Sequence, residues 1–298
     1  MLLTHSATLY VITILVWGTS WFAITFQLGV VPPEISLVYR FGLAAVLLLL
    51  YCLYRSRSLK FTIRQHCFIA AQGVCLFCVN YLIFYYATGY LTSGLVAVIF
   101  SSVIIMNMLN GALFLRRPIQ PLVVVGAVTG LAGITLVFWP EVVGASDITS
   151  PGVMKGLVLS LVATYMASLG NILSARNQAD NIPVIEANAL GMAYGSIVML
   201  VYAVLSAKSF VFEWTSEYVV SLLYLSVFAS IIAFGAYLTI LGRIGADRAA
   251  YATVLFPIVA LIISGLFENY TWGLLSITGI ALVLLGNFIV TKAPRITS

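Results

Sequence analysis

A chain of 298 residues in which 62% are hydrophobic and only 8% are charged is excluded from the ordinary water-soluble domains, where roughly a quarter of positions carry charge. The formal charge of +5 falls in short gaps between apolar runs, so it reads as a topology signal and not as a nucleic-acid footprint. With about 20 apolar residues needed per bilayer crossing, the chain allows on the order of ten crossings and leaves no room for a soluble domain.

Taken in chain order, apolar runs broken by Pro, Gly or charge predict ten spans. The first five are Leu9 to Phe26, Ile35 to Tyr54, Cys67 to Tyr86, Ser93 to Leu115 and Leu122 to Phe138; the second five are Met154 to Ser174, Val184 to Leu205, Tyr218 to Leu241, Ala249 to Phe267 and Trp272 to Val290. The first run has no Lys or Arg before Trp17 and no small-residue cleavage pattern, so it is expected to be a retained helix and not a signal peptide. Thr13, Trp17 and Ser20 share one of its faces.

Arg40 is the charged residue well inside the second span, about seven residues from Pro33 and so roughly 10 Å below the helix end. An intramembrane arginine is a functional-site candidate: its fork could hold a substrate carboxylate, or it could be a structural group bonded to neighbouring helices. In the third span Phe77, Tyr81 and Tyr85 stack at four-residue spacing beside Asn80, an aromatic wall with a polar group that suits a small amphipathic ligand. Cys75 and Cys78 form a CxxC, but in an apolar string where a thiol packs as a small hydrophobe. With Cys52 and Cys67 they imply no disulfide framework.

The fourth span places Ser93, Ala97, Ser101, Ile104, Asn107 and Gly111 on one helical face, which could pack closely against another helix or line a path; Asn107 tilts it toward the path, since a lipid-facing amide would be costly. Gly126 with Gly130 in the fifth span, and Gly191 with Gly195 in the seventh, read as close-packing pairs. The sixth span carries Ser160, Thr164, Ser168 and Asn171 at steps of four, four and three, a stripe more polar than packing requires. In the ninth span Ala246, Ala250, Val254, Pro257, Ala260 and Ser264 make a small-residue face. Pro257 removes the hydrogen bond to the Thr253 carbonyl and offers a hinge.

Basic residues in the gaps set orientation. One side collects Arg55, Arg57, Lys60, Arg64, Arg116, Arg117, Arg176, Arg243, Arg248, Lys292 and Arg295, the other only Lys155 and Lys208, so both termini are expected in the cytoplasm. An offset of 153 carries Gly89 onto Gly242, Ala97 onto Ala250, Gly126 onto Gly279 and Gly133 onto Gly286. Five spans per half force the second half to enter from the opposite side. The expected fold is therefore an all-α integral membrane protein of ten transmembrane helices in two inverted five-helix repeats, residues 1–140 and 141–298. That is a common build of secondary transporters, with the substrate at the repeat interface.

Several stretches together are similar to the EamA family of the drug/metabolite transporter superfamily. They are Trp17-Gly18-Thr19-Ser20-Trp21, Pro32-Pro33 with Arg40, Leu91 to Ala97, Phe138-Trp139-Pro140-Glu141, Pro257, and Glu268-Asn269-Tyr270-Thr271-Trp272 leading to Gly279 and Gly286. The resemblance implies a ten-helix transporter of the bacterial inner membrane that exports amino acids or related small metabolites. In one departure, the family's frequent fourth-span proline is replaced by Ile104, the repeat counterpart of Pro257.

The candidate substrate-binding residues are Arg40, Trp17, Asn80, Tyr81, Tyr85, Ser101, Asn107, Thr164, Ser168 and Asn171, with Pro257 as hinge. No catalytic residue, metal or cofactor is expected, because neither a His near a Ser nor paired carboxylates fall within the bundle. No Asp, Glu or His falls at a span centre, which favours gradient-driven export, or coupling through a carboxylate at the mouth. The expected partners are a small-molecule substrate and the lipid bilayer, with no nucleic acid, and the expected state is a monomer. Drug efflux on the same fold, or a lipid or solute flippase or channel, is the competing reading.

Overall fold

The computed structural model describes residues 6–116, 118–143, 151–245, 249, 252–268 and 272–291. Among them the chain is helical, without strands. The helices run as α1 Ser6–Thr25, α2 Pro33–Tyr54, α3 Ile63–Thr88, α4 Ser93–Leu115 with a turn at Ser101–Ser102, α5 Pro121–Val143, α6 Pro151–Ala179, α7 Val184–Leu205, α8 Ser216–Ile244, α9 Ala252–Phe267 and α10 Leu274–Thr291. Seven helices are long and apolar enough to cross a membrane; the apolar stretches Pro121–Val137, Leu255–Phe267 and Leu274–Gly286 are shorter.

Local chemistry sets the helix ends. Pro33 at the first turn of α2 presets φ and needs no N–H partner. Thr62 and Gln65 close a capping box on α3. Gly245, at φ +89°, ends α8 in a conformation that favours glycine. The expected spans Ser93 to Leu115 and Val184 to Leu205 match their helices to the residue, and the others extend or retreat by a few positions. Arg117, Asp147, Ala246, Asp247, Arg248, Ala250, Lys292, Arg295 and the Asn269-Tyr270-Thr271 part of the motif lie outside the described residues, as do the side chains of Phe138, Pro140, Glu141 and Val254.

Three helices depart from the uninterrupted α-form that their apolar sequences suggest: α4 turns at Ser101–Ser102, between Ser93–Phe100 and Val103–Leu115. α3 contains a π-helical segment at Cys75–Val79 and α8 one at Leu225–Ala233. The CxxC therefore sits in a widened turn, and its thiols are free.

Helix association in lipid depends on close packing and polar contacts, since apolar surface gains little by leaving lipid tails. Glycines supply the approach. A Cβ on Gly279 would lie 2.5 Å from the Gly133 carbonyl oxygen, and one on Gly286 2.4 Å from that of Gly126, so α5 and α10 cross antiparallel with backbones in contact. α4 and α9 are also antiparallel, since Gly94 meets Ser264 and Leu261 while Phe100 meets Phe256. α2 and α7 form a third antiparallel pair, joined at Gly42 and Ser196 and by an ion pair near each end. The remaining principal contacts are α1 with α9, α4 with α6, α3 with α6 and α7, and α8 with α1 and α2. Thus α2 and α7 flank one side of a central group of six helices, and α5 with α10 flanks another.

Candidate functional site

A cavity opens where α1, α3 and α4 meet α6, α8 and α9. Trp17, Ser20 and Trp21 face it from α1, held inward because Gly18 lets that helix close on Val259 of α9. Just past its π-helical segment, α3 contributes Asn80, Tyr81 and Phe84; α8 presents Phe234 and Tyr237 from the matching place. Phe100 of α4 and Phe256 of α9 close the ring, and Asn171 enters from α6.

The lining is an aromatic box. Ring centroids are 4.8 Å apart for Trp17 and Phe234, 4.9 Å for Trp17 and Tyr237, and 5.0 Å for Trp21 and Phe84, within the range of favourable edge and tilted contacts. The empty volume between them is about 480 Å³. The space in it wide enough for a water molecule holds about one, so the site is in a form closed to a solute.

Polar groups are few and fixed. Asn171 is 2% exposed; its Nδ2 donates to Tyr237 Oη at 3.1 Å and to Asn107 Oδ1 at 3.4 Å. The Asn171 Oδ1 is buried without a hydrogen-bond partner among the described residues, and an unmet buried acceptor costs about 1–3 kcal/mol, which a ligand donor would recover. Asn80 Oδ1 accepts from the Tyr81 N–H at 2.7 Å. Among the described lining residues none is Asp, Glu, Lys, Arg or His.

Of the residues that the sequence nominated, Trp17, Asn80, Tyr81 and Asn171 line this cavity. Arg40 lies one layer behind it, 1% exposed, with its guanidinium carbon 4.5 Å from the Tyr81 ring centroid. Its Nε donates to Ser230 Oγ at 3.0 Å and its Nη1 to Tyr85 Oη at 3.5 Å, so Tyr85 belongs to the same second layer. Asn107 supports Asn171 from α4. Ser168 accepts from Asn110, and the Thr164 hydroxyl donates to the Ser160 carbonyl within its own helix. Ser101 donates to the Val98 carbonyl and borders a separate cleft against α5. Pro257 lies inside α9, which runs helical through it, and borders a third, apolar cleft with α4, α5 and α10. Gly126, Gly130, Gly191 and Gly195 pack against other helices.

The sequence reading did not nominate Trp21, Phe84, Phe100, Phe234, Tyr237 or Phe256. The offset of 153, carried into the third and eighth spans, places the nominated Tyr81 on Phe234 and would have found that residue, whereas Tyr237 falls on Phe84, itself not nominated.

Charged pairs fasten α2 to α7 outside the cavity. Lys208 Nζ lies 2.9 Å from Glu34 Oε1, which also accepts from Tyr86 at 2.5 Å. Arg57 Nη1 lies 3.1 Å from Glu186 Oε1 at the opposite end. The hydrogen bond and charge of Glu34 hold the Lys208 ammonium above its ordinary range, and Glu186 does the same for Arg57. A raised lysine pKa contributes stability in full below the ordinary value of about 10.4 and loses it only as pH climbs through the raised one. Lys208→Arg, which keeps the charge, should therefore leave the pH profile of transport between pH 6 and 9 superimposable on that of the parent protein. A shifted profile in that window would show Lys208 titrating near neutrality.

Comparisons with known proteins agree on one family. The model of the EamA-like transporter family matches residues 5–139 and again 154–292. Protein PagO of Salmonella typhimurium strain LT2 is 23% identical over 268 residues, covering 89% of this chain and 84% of PagO. The uncharacterized inner membrane transporter YedA of Escherichia coli K12 is 25% identical over 289 residues, covering 94% and 90%. The uncharacterized transporter YvbV of Bacillus subtilis strain 168 is 23% identical over 288 residues, covering 94% and 90%. A solved crystal structure superposes with a TM-score of 0.74 over 98% of this chain and 99% of that one, at 17% identity.

Proposed function

The chain belongs to the EamA-like transporter family and is a membrane transporter, and on that premise we propose that it is a secondary exporter of amino acids or related small metabolites, working by alternating access around the aromatic cavity. The observation that carries this reading is the lining: eight aromatic rings and a free amide oxygen, without an ionised side chain among the described lining residues. A zwitterionic amino acid brings no net charge that such a cavity must balance, its apolar side chain suits the rings, and its ammonium can donate to Asn171 Oδ1 and face a ring. In this reading Trp17, Asn80, Tyr81 and Asn171 touch the solute, while Arg40, Tyr85, Asn107 and Ser168 hold the wall in place.

The ten helices are read as ten crossings in two inverted units, split near residue 140. Support comes from the two successive family matches and from the three repeat-related pairs, α2 with α7, α4 with α9 and α5 with α10, each of which runs antiparallel. Further support comes from the contacts: exchanging each helix for its counterpart turns α1 against α9 into α6 against α4, and α3 against α7 into α8 against α2, and all four contacts exist. The excess of basic residues on one side places both termini in the cytoplasm. A bacterial inner membrane fits the hydropathy and the name of the YedA relative.

Counterflow tests the function. Purified protein in liposomes preloaded with one unlabelled amino acid from a panel should accumulate the labelled form of that amino acid transiently and saturably. Flux that rises linearly with concentration and ignores the preload would identify a channel. Counterflow of hydrophobic cations and of no amino acid would favour drug efflux.

A further inference from the structure

The two π-helical segments fall at the same place in the two halves. The offset of 153 moves Cys75–Val79 onto positions 228–232, inside Leu225–Ala233. Each segment immediately precedes the aromatic residues that its helix sends into the cavity, Tyr81 and Phe84 from α3, Phe234 and Tyr237 from α8. A π-turn bonds i to i+5, is rare, and appears mostly as a bulge inside an α-helix, frequently at a functional site; bonds from neighbouring helices can act as its holders.

In α8 those holders are visible. The indole Nε1 of Trp17 donates to the Ala229 carbonyl at 3.3 Å, and Arg40 Nε donates to Ser230 Oγ at 3.0 Å. The same guanidinium lies over the Tyr81 ring and donates to Tyr85 Oη, both on α3 just beyond its own π-segment. Arg40 is thus bonded at once to the two helices that carry π-turns, and the structure pairs it with no carboxylate among the described residues.

We propose that these two π-segments are the flexure points at which the cavity wall rearranges, and that Arg40 is a positioning residue, a strut that makes α3 and α8 flex together. The proposal rests on the transporter reading for its purpose, but its mechanics do not depend on the solute. An α-helix turns by about 100° per residue, so a π-turn that reverts to α-form swings the side chains after it by about that angle, and one that migrates swings those it passes. Tyr81 and Phe84 would leave the cavity on one side, Phe234 and Tyr237 on the other. Pro257 stands inside α9 with Ile104 at its counterpart in α4, which turns instead at Ser101–Ser102; the π-turns occur in both halves, as a motion exchanging the roles of the two halves requires.

Hydrogen–deuterium exchange of the full-length protein in lipid nanodiscs, without ligand, tests this. Peptides covering 75–79 and 225–233 should exchange several-fold faster than the turns on either side. Arg40→Gln should accelerate both segments several-fold further, with Arg40→Lys in between and the α5 and α10 peptides unchanged. Ser230→Ala, which touches α8 alone and spares the buried charge, should also accelerate 75–79. Segments as protected as their flanks would overturn the flexure. Acceleration by Ser230→Ala confined to 225–233, or by Arg40→Gln spread evenly over the bundle, would overturn the strut. Failure of every solute in counterflow, with these exchange patterns present, would count against the transport reading and leave the strut standing.

Discussion

Gly73→Val is expected to abolish recovery of folded protein, giving no monodisperse species after extraction from the membrane. At the crossing of α3 and α7, a Cβ on Gly73 would lie 2.0 Å from the Gly191 carbonyl oxygen and 2.7 Å from its carbon. The obstacle is backbone, which has no rotamer to change. On the other side of the contact, a Cβ on Gly195 would lie 2.9 Å from the Gly73 carbonyl oxygen, so sliding the helices only moves the clash. Forced separation would also break the buried bond from Asn177 Nδ2 to Gln72 Oε1, 2.9 Å long, and disturb the π-segment two residues on. Overpacking commonly costs about 1–3 kcal/mol where side chains can yield; here the cost should exceed that range and consume much of a stability of about 5–15 kcal/mol. Gly235→Ala is the matched control, because nothing lies within 4 Å of its added Cβ. It should leave the thermal midpoint unchanged or slightly raised, since alanine favours the helix. Equal loss of folded protein in both variants would show that the crossing has no special role.

Asn171→Leu should lower transport at least tenfold, equivalent to about 1.4 kcal/mol, with folding intact by thermal denaturation. Leucine has the same branched four-atom outline and suits the surrounding rings, but it removes the unpartnered buried acceptor and the donor that fixes Tyr237 Oη. Thr164→Val is the comparison that isolates this effect. Thr164 lies on the same polar stripe of α6, yet its hydroxyl is spent on the Ser160 carbonyl, so transport should change less than about twofold, within the effect of one neutral hydrogen bond. Equal losses in the two variants would mean that the stripe serves packing and that Asn171 does not meet solute.

The helices were largely legible because lipid imposes a length and composition rule that needs no knowledge of neighbours; Ser93–Leu115 and Val184–Leu205 follow from it directly. The site was legible only in part. Asn171 and Thr164 look alike as members of one stripe, but one reaches the cavity and the other bonds its own helix, a choice that depends on which helices surround α6. Arg40 stands out by charge, while its partners lie 45 to 190 residues away at Tyr85 and Ser230, so sequence alone could not separate a solute clamp from a strut. The π-segments left no mark in composition: Cys75–Val79 has neither Pro nor Gly. In α8 the widened turn is held by tertiary bonds from Trp17 and Arg40.

Access to Ser20 bears most directly on the idea that two halves enclose one cavity which opens to each side in turn. Ser20 lines the cavity and is 6% exposed in the closed form. With the four native cysteines replaced, Ser20→Cys should react with a membrane-impermeant maleimide applied to either side of oriented vesicles, and a counterflow substrate should slow both reactions. Labelling from a single side, or at a rate indifferent to substrate on both, would contradict the account.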